Sequence, residues 1–143
     1  MATEQMAHVG STSLDRGKAE VFGTRMLTLL NNGATALMIS IGHKTGLFEA
    51  MAALPPVTST ELASAAGLNE RYVREWLVAM YVSGIVEMEI SGDEENNIKG
   101  KRARLYTLPP ENAAFLTWGR GPENVAVLSQ YISILSAYEG RTV

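Results

Sequence analysis

Thr58-Ser59-Thr60-Glu61-Leu62-Ala63-Ser64-Ala65-Ala66-Gly67, followed at once by Leu68-Asn69-Glu70-Arg71-Tyr72-Val73-Arg74-Glu75-Trp76-Leu77, decides the fold. Thr58 or Ser59 caps a short helix holding Leu62, Ala63 and Ala66, because an N-cap hydroxyl satisfies a first-turn N–H that has no partner within the helix. Gly67 stops that helix, since glycine enters the left-handed region at a helix end without a steric penalty. Asn69 caps a longer helix in which Tyr72, Val73, Trp76, Leu77 and Met80 share one face, and Gly84 ends it. Helix, glycine turn, helix is a helix-turn-helix.

Beyond it, Val86-Glu87-Met88-Glu89-Ile90 alternates apolar and polar, as a half-buried strand does. Ser91 to Lys101 reads as a polar loop, and Leu105-Tyr106-Thr107-Leu108 as a second strand stopped by Pro109-Pro110. Two strands joined by a loop directly after a helix-turn-helix make a wing, so residues 47–108 read as a winged helix. A short helix over 111–117 and a turn over Trp118-Gly119-Arg120-Gly121-Pro122 follow. The final helix is expected from about Glu123 to Glu139, with Val125, Leu128, Ile132 and Leu135 on one stripe. Val127, Tyr131, Ile134 and Tyr138 make a second stripe beside it, and a helix apolar over so much of its circumference expects neighbours on two sides.

Toward the N-terminus, residues 1–15 read as a flexible tail. Val21, Phe22, Met26, Leu29 and Leu30 follow helical spacing from about Arg16 to Asn31. Asn31-Asn32-Gly33 is expected to interrupt that helix. A second helix then carries Ala34, Leu37, Met38 and Ile41 to Gly42, and a short one runs from Leu47 to Leu54 before Pro55-Pro56. The fold class is therefore mainly α: a winged helix-turn-helix with a small two-stranded β wing, flanked by N- and C-terminal helices. One domain is expected over 16–140.

Bulk properties exclude several functions. The net charge of −3 supplies no general attraction to polyanions. There is no cysteine, which removes disulfides, thiol catalysis and cysteine-based zinc sites. The N-terminus lacks the basic start and apolar run of a secretory signal. Ala34 to Ile41, the most apolar stretch, is far short of the roughly 20 residues that span a bilayer, so no membrane association and a cytoplasmic location are expected.

Candidate chemistry is sparse. The helix from Asn69 could enter a major groove with the wing on phosphates. However, Arg71, Arg74, Lys99, Lys101, Arg102 and Arg104 are nearly cancelled by Glu70, Glu75, Asp93, Glu94 and Glu95. DNA affinity rests on uncompensated phosphate neutralisation, so the balance argues against nucleic acid as a partner. Gly119-Arg120-Gly121 has no apolar strand before it and Pro122 directly after, which fits a turn and not a nucleotide loop. His43 is the one histidine beyond the tail; Glu49 is the nearest acid, and no second His or Cys accompanies it. A helix-terminal histidine of this kind is usually structural, which leaves His43 a weak ligand candidate. Trp76 and Trp118 read as core or interface anchors.

Leu27-Thr28-Leu29-Leu30-Asn31-Asn32-Gly33-Ala34, Leu37 to Phe48, and the Thr60 to Leu77 segment together resemble the opening region of a group of bacterial and invertebrate class I S-adenosylmethionine-dependent methyltransferases. The similarity covers about residues 16 to 140. It implies a two-domain enzyme whose N-terminal winged helix dimerises and covers the substrate pocket, while a C-terminal Rossmann-like domain binds S-adenosylmethionine and transfers a methyl group to a small acceptor. No strand–glycine loop–helix unit occurs in these 143 residues. The resemblance therefore carries over no catalytic, cofactor-binding or metal-binding residue, and the chain alone is not expected to methylate. It does imply a homodimer or pairing with the catalytic domain or with full-length methyltransferase chains. Phe22, Met26, Leu29, Leu30, Leu37, Met38, Ile41, Val125, Leu128, Ile132 and Leu135 are the interface or substrate-lid candidates. The rival readings are a small winged-helix DNA-binding regulator and a free-standing interaction protein.

Overall fold

A computed structural model describes residues 13–91, 102–118 and 124–139, and inside the last helix some side chains, among them those of Leu135 and Tyr138, lie outside the description. The order is α1 (Arg16–Lys44), α2 (Leu47–Ala53), α3 (Ser59–Ala66), α4 (Glu70–Val82), β1 (Glu87–Ser91), β2 (Ala103–Thr107), α5 (Pro110–Leu116), a 3-10 turn (Ala126–Ser129) and α6 (Gln130–Glu139). The fold is a winged helix-turn-helix, mainly α with a two-stranded antiparallel wing. Two compact units divide it, Met1–Asn31 and Asn32–Val143, so α1 belongs partly to each.

The helix-turn-helix forms for the reasons its sequence gives. Thr58 accepts from the Glu61 N–H while the Glu61 carboxylate accepts from the Thr58 N–H at 2.9 Å, a reciprocal capping box. The bond from the Thr58 N–H foremost, and a second from the Thr58 hydroxyl at 2.7 Å, hold the Glu61 carboxyl below its ordinary pKa. Gly67 closes α3 at φ 67°, and the Asn69 side chain accepts from Arg71 N–H at 3.0 Å to open α4. The wing pairs Glu87 with Thr107 through Ser91 with Ala103. Val57 adds an antiparallel bridge to Tyr106, its N–H donating to the Tyr106 carbonyl at 3.0 Å and its carbonyl accepting at 2.8 Å.

The core lies in the second unit: Leu47, Phe48, Leu62, Val73, Trp76, Leu77 and Met80 are fully buried, with Tyr106 and Leu108 arriving from the wing. Trp76 is its centre. Its indole N–H donates to the Met38 carbonyl at 2.9 Å, and its ring meets Phe48 edge-on at 5.1 Å. Gly42 on α1 permits that approach. A Cβ there would lie 2.8 Å from Phe48 Cε2 and would overlap Trp76 Cζ2 more severely still. Asn112 ties α5 to the start of the wing by donating to the Ile85 carbonyl at 2.8 Å.

Three sequence expectations are corrected. Asn31-Asn32-Gly33 does not end the first helix, and α1 runs unbroken from Arg16 to Lys44. Asn and Gly cost a helix at most about 1 kcal/mol each, and without a proline such a cost only weakens the ladder. Tyr72 does not join the buried face of α4 but stands 74% exposed beside it. Val125 and Leu128 precede α6, which starts at Gln130 after the 3-10 turn; Glu123 lies outside the described residues. No described helix is long and apolar enough to cross a membrane.

Candidate functional site

Three surfaces compete for a functional role. The first is the outward face of α4, which would enter a DNA groove. Its exposed residues are mixed: Tyr72, Val78, Tyr81 and Val82 are apolar or aromatic, while Arg71, Arg74 and Glu75 interleave with them as charged, hydrogen-bonding side chains. Arg74 pairs with Glu70 at 3.4 Å, one helical turn away, and Glu70 also accepts from the Ser59 hydroxyl at 2.7 Å. Arg74 is therefore already neutralised within its own helix. Arg102 and Arg104 are exposed at the loop end of the wing, where Arg104 pairs with Ile90. Lys99, Lys101 and the acidic Asp93 to Glu95 lie outside the described residues, as does the Gly119-Arg120-Gly121 stretch.

The second surface is apolar. Residues 13–34 are exposed throughout, including Phe22, Met26, Leu29 and Leu30 of the interface candidates. Asp15 opens this arm by accepting from the Lys18 N–H at 3.1 Å. In the second unit Leu37, Ile41, Val125 and Leu128 are also exposed, whereas Met38 packs against the core and Ile132 is half-buried. The Leu135 side chain lies outside the described residues.

The third is a buried polar corner at the end of α1. His43 is 3% exposed and Ser40, one turn earlier, is 2% exposed. Among the described residues, both imidazole nitrogens and the Ser40 hydroxyl lack a hydrogen-bond partner, as does Glu49 Oε2. Glu49 Oε1 accepts from the Trp118 N–H at 2.9 Å, and the Trp118 ring lies 4.4 Å from the imidazole at a tilt of 33°. An unsatisfied buried polar group costs about 1–3 kcal/mol, a large share of the stability of a domain of this size. Sequence reading placed His43 and its nearest acid Glu49 in one neighbourhood, but it missed Trp118 as the residue that joins them. No periodicity links positions so distant in the chain. Among the described residues, no group of three His, Asp or Glu side chains is placed to hold a metal.

A helix-turn-helix with a bridged two-stranded wing and a tryptophan-centred core defines a winged-helix protein. Residues 33–118, more than half of the chain, match the Rv2258c-like winged HTH domain, and the chain belongs to that family. Human N-acetylserotonin methyltransferase, solved in complex with SAM, is similar in fold at a TM-score of 0.62 and 16% identity, over 89% of this chain and 32% of that one. This chain thus spans about a third of that enzyme's length. A MarR family transcription regulator, SP03579, aligns over 90% of this chain and 79% of its own at 19% identity and a TM-score of 0.41. No curated protein sequence matches the chain.

Proposed function

We propose that this chain is the dimerising, substrate-covering winged-helix part of an S-adenosylmethionine-dependent methyltransferase, with methyl transfer carried out by a separate Rossmann-like domain. The observation that carries the reading is the exposed arm of α1. Val21, Phe22, Leu27, Leu29 and Leu30 are all more than half exposed on a helix that no described residue of its own unit covers. A contiguous apolar surface of that kind usually marks an interface. Withdrawing even about 800 Å² of it from water is worth on the order of 20 kcal/mol before association costs. A second copy of the chain is the occupant that covers it.

The methyl-transfer half of the reading draws on the sequence resemblance of residues 16 to 140 and on the fold similarity to the human methyltransferase. The DNA-regulator alternative is disfavoured by the mixed charges of α4, where Arg74 pairs with Glu70 and Glu75 stands exposed beside Arg71, and by a net charge of −3. Two observations test the proposal. Light scattering at micromolar concentration is expected to give about twice 15.5 kDa; a monomer near 100 µM would sink the dimer, since such an interface should hold well below that concentration. Reading the gene beyond codon 143 is expected to show an in-frame strand, glycine loop and helix. Without such a unit, the methyltransferase assignment falls.

A further inference from the structure

The buried polar corner at the end of α1 asks for a partner of definite chemistry. Ser40 and His43 sit one turn apart on α1, both almost fully buried, and neither finds a hydrogen-bond partner among the described residues. Glu49 on α2 uses one carboxyl oxygen to hold the Trp118 backbone and leaves the other buried and unpaired. Trp118 lays its indole against the imidazole at 4.4 Å while remaining 60% exposed itself. Trp118 thus joins the histidine and the glutamate in one corner, buried polar atoms beside an indole that is itself exposed.

From this geometry we propose that Ser40, His43 and Glu49, beneath Trp118, bind the hydroxyl of a small neutral aromatic compound, a phenol in chemical class. The hydrogen-bond inventory selects the group. A carboxylate only accepts, a neutral imidazole offers one donor and one acceptor, and a serine hydroxyl can do either. A ligand hydroxyl donates to Glu49 Oε2 or to an imidazole nitrogen and accepts from the remaining donor, so one group relieves several orphaned atoms. A ligand carboxylate or phosphate would set a second acceptor against Glu49. A plain hydrocarbon would leave every polar atom unpaired. The aromatic ring of the ligand packs on the indole of Trp118, where ring-on-ring contact adds to area burial.

The site belongs to this chain alone, and it stands or falls separately from dimerisation and from any catalytic domain. Phenol, toluene and benzoate titrated into the isotope-labelled full chain, followed by NMR, provide the test. Phenol is expected to shift the His43 ring and Trp118 indole resonances saturably, with a dissociation constant on the order of 1 mM for so small a ligand. Toluene and benzoate are expected to bind at least about tenfold more weakly, because neither satisfies the buried polar atoms. His43→Phe should abolish the response. Glu49→Gln should weaken it several-fold, with the buried Trp76 indole signal unmoved in both variants as the check on folding. The proposal is overturned if phenol gives no saturable shift at His43 and Trp118, or if toluene matches it. It also fails if a crystal soaked in phenol shows only ordered water on His43 and Glu49.

Discussion

The two halves of α1 carry the same kinds of residue into opposite environments. From Arg16 to Asn31 the helix shows Phe22, Leu27, Leu29 and Leu30 to solvent, and no described residue lies within 4 Å of where a Cβ on Gly23 would stand. Toward Lys44 the helix is set into a core: Ser40, Gly42 and His43 are buried, and Gly42 is filled by the Trp76 and Phe48 rings. Helical spacing of apolar residues makes a sticky face in both halves. Among the described residues, only the second half has neighbours of its own unit to receive that face. Gly42 reports a neighbour that is present, whereas the exposed leucines report a surface that water covers at a cost.

The sharpest way to break this comparison is Gly42→Ala. The new methyl would overlap Trp76 and crowd Phe48, both of them fully buried and unable to swing away. A loss of about 3 kcal/mol is expected from overpacking a tight core, read as the shift in a urea unfolding midpoint. A loss below half of that would mean the core yields more than its packing suggests.

Leu29→Asp tests the other half. It should leave the unfolding of the second unit unchanged at dilute concentration, yet weaken self-association by about a hundredfold, as a charge placed in an apolar interface does. Light scattering across a concentration series measures it, and unchanged association would remove the arm from the interface.

Thr58→Ala is expected to cost about 1 kcal/mol through loss of the α3 cap, again by urea titration. The same site carries a pH signature. Hydrogen bonds from Thr58 lower the Glu61 pKa in the folded chain, so its contribution to stability is present above the ordinary glutamate range. That contribution fades as the pH falls through the lowered folded value. In Glu61→Gln the acid-side decline should flatten by this share; an identical pH profile would show the capping box to be energetically silent.

The smallest expected effect has the opposite sign. Gly23→Ala and Gly33→Ala meet open space, and each should raise stability by up to about 1 kcal/mol through helix propensity. Destabilisation that grows with protein concentration would instead place a neighbour's surface against those glycines.

The sequence by itself determined the helix-turn-helix, because its signals are local. Thr58 with Glu61, Gly67 and Asn69 act on backbone groups within a few residues, and all three features appear where the spacing placed them. The alternation of Val86 to Ile90 likewise located a strand to within a residue. Phe22, Leu29 and Leu30, picked out by helical spacing, stand exposed on the arm. Tertiary structure decided the rest. Asn31-Asn32-Gly33 looked like a break, but local propensity differences of under about 1 kcal/mol do not outweigh a continuous hydrogen-bond ladder. Tyr72 lay on the right stripe yet found no core to enter. The corner at His43 was the least legible of all. Its character comes from Trp118 packing against a histidine on another helix, and from Glu49 turning to hold the Trp118 backbone. Contacts between residues so far apart along the chain leave no periodicity behind, and only the folded core brings them within reach.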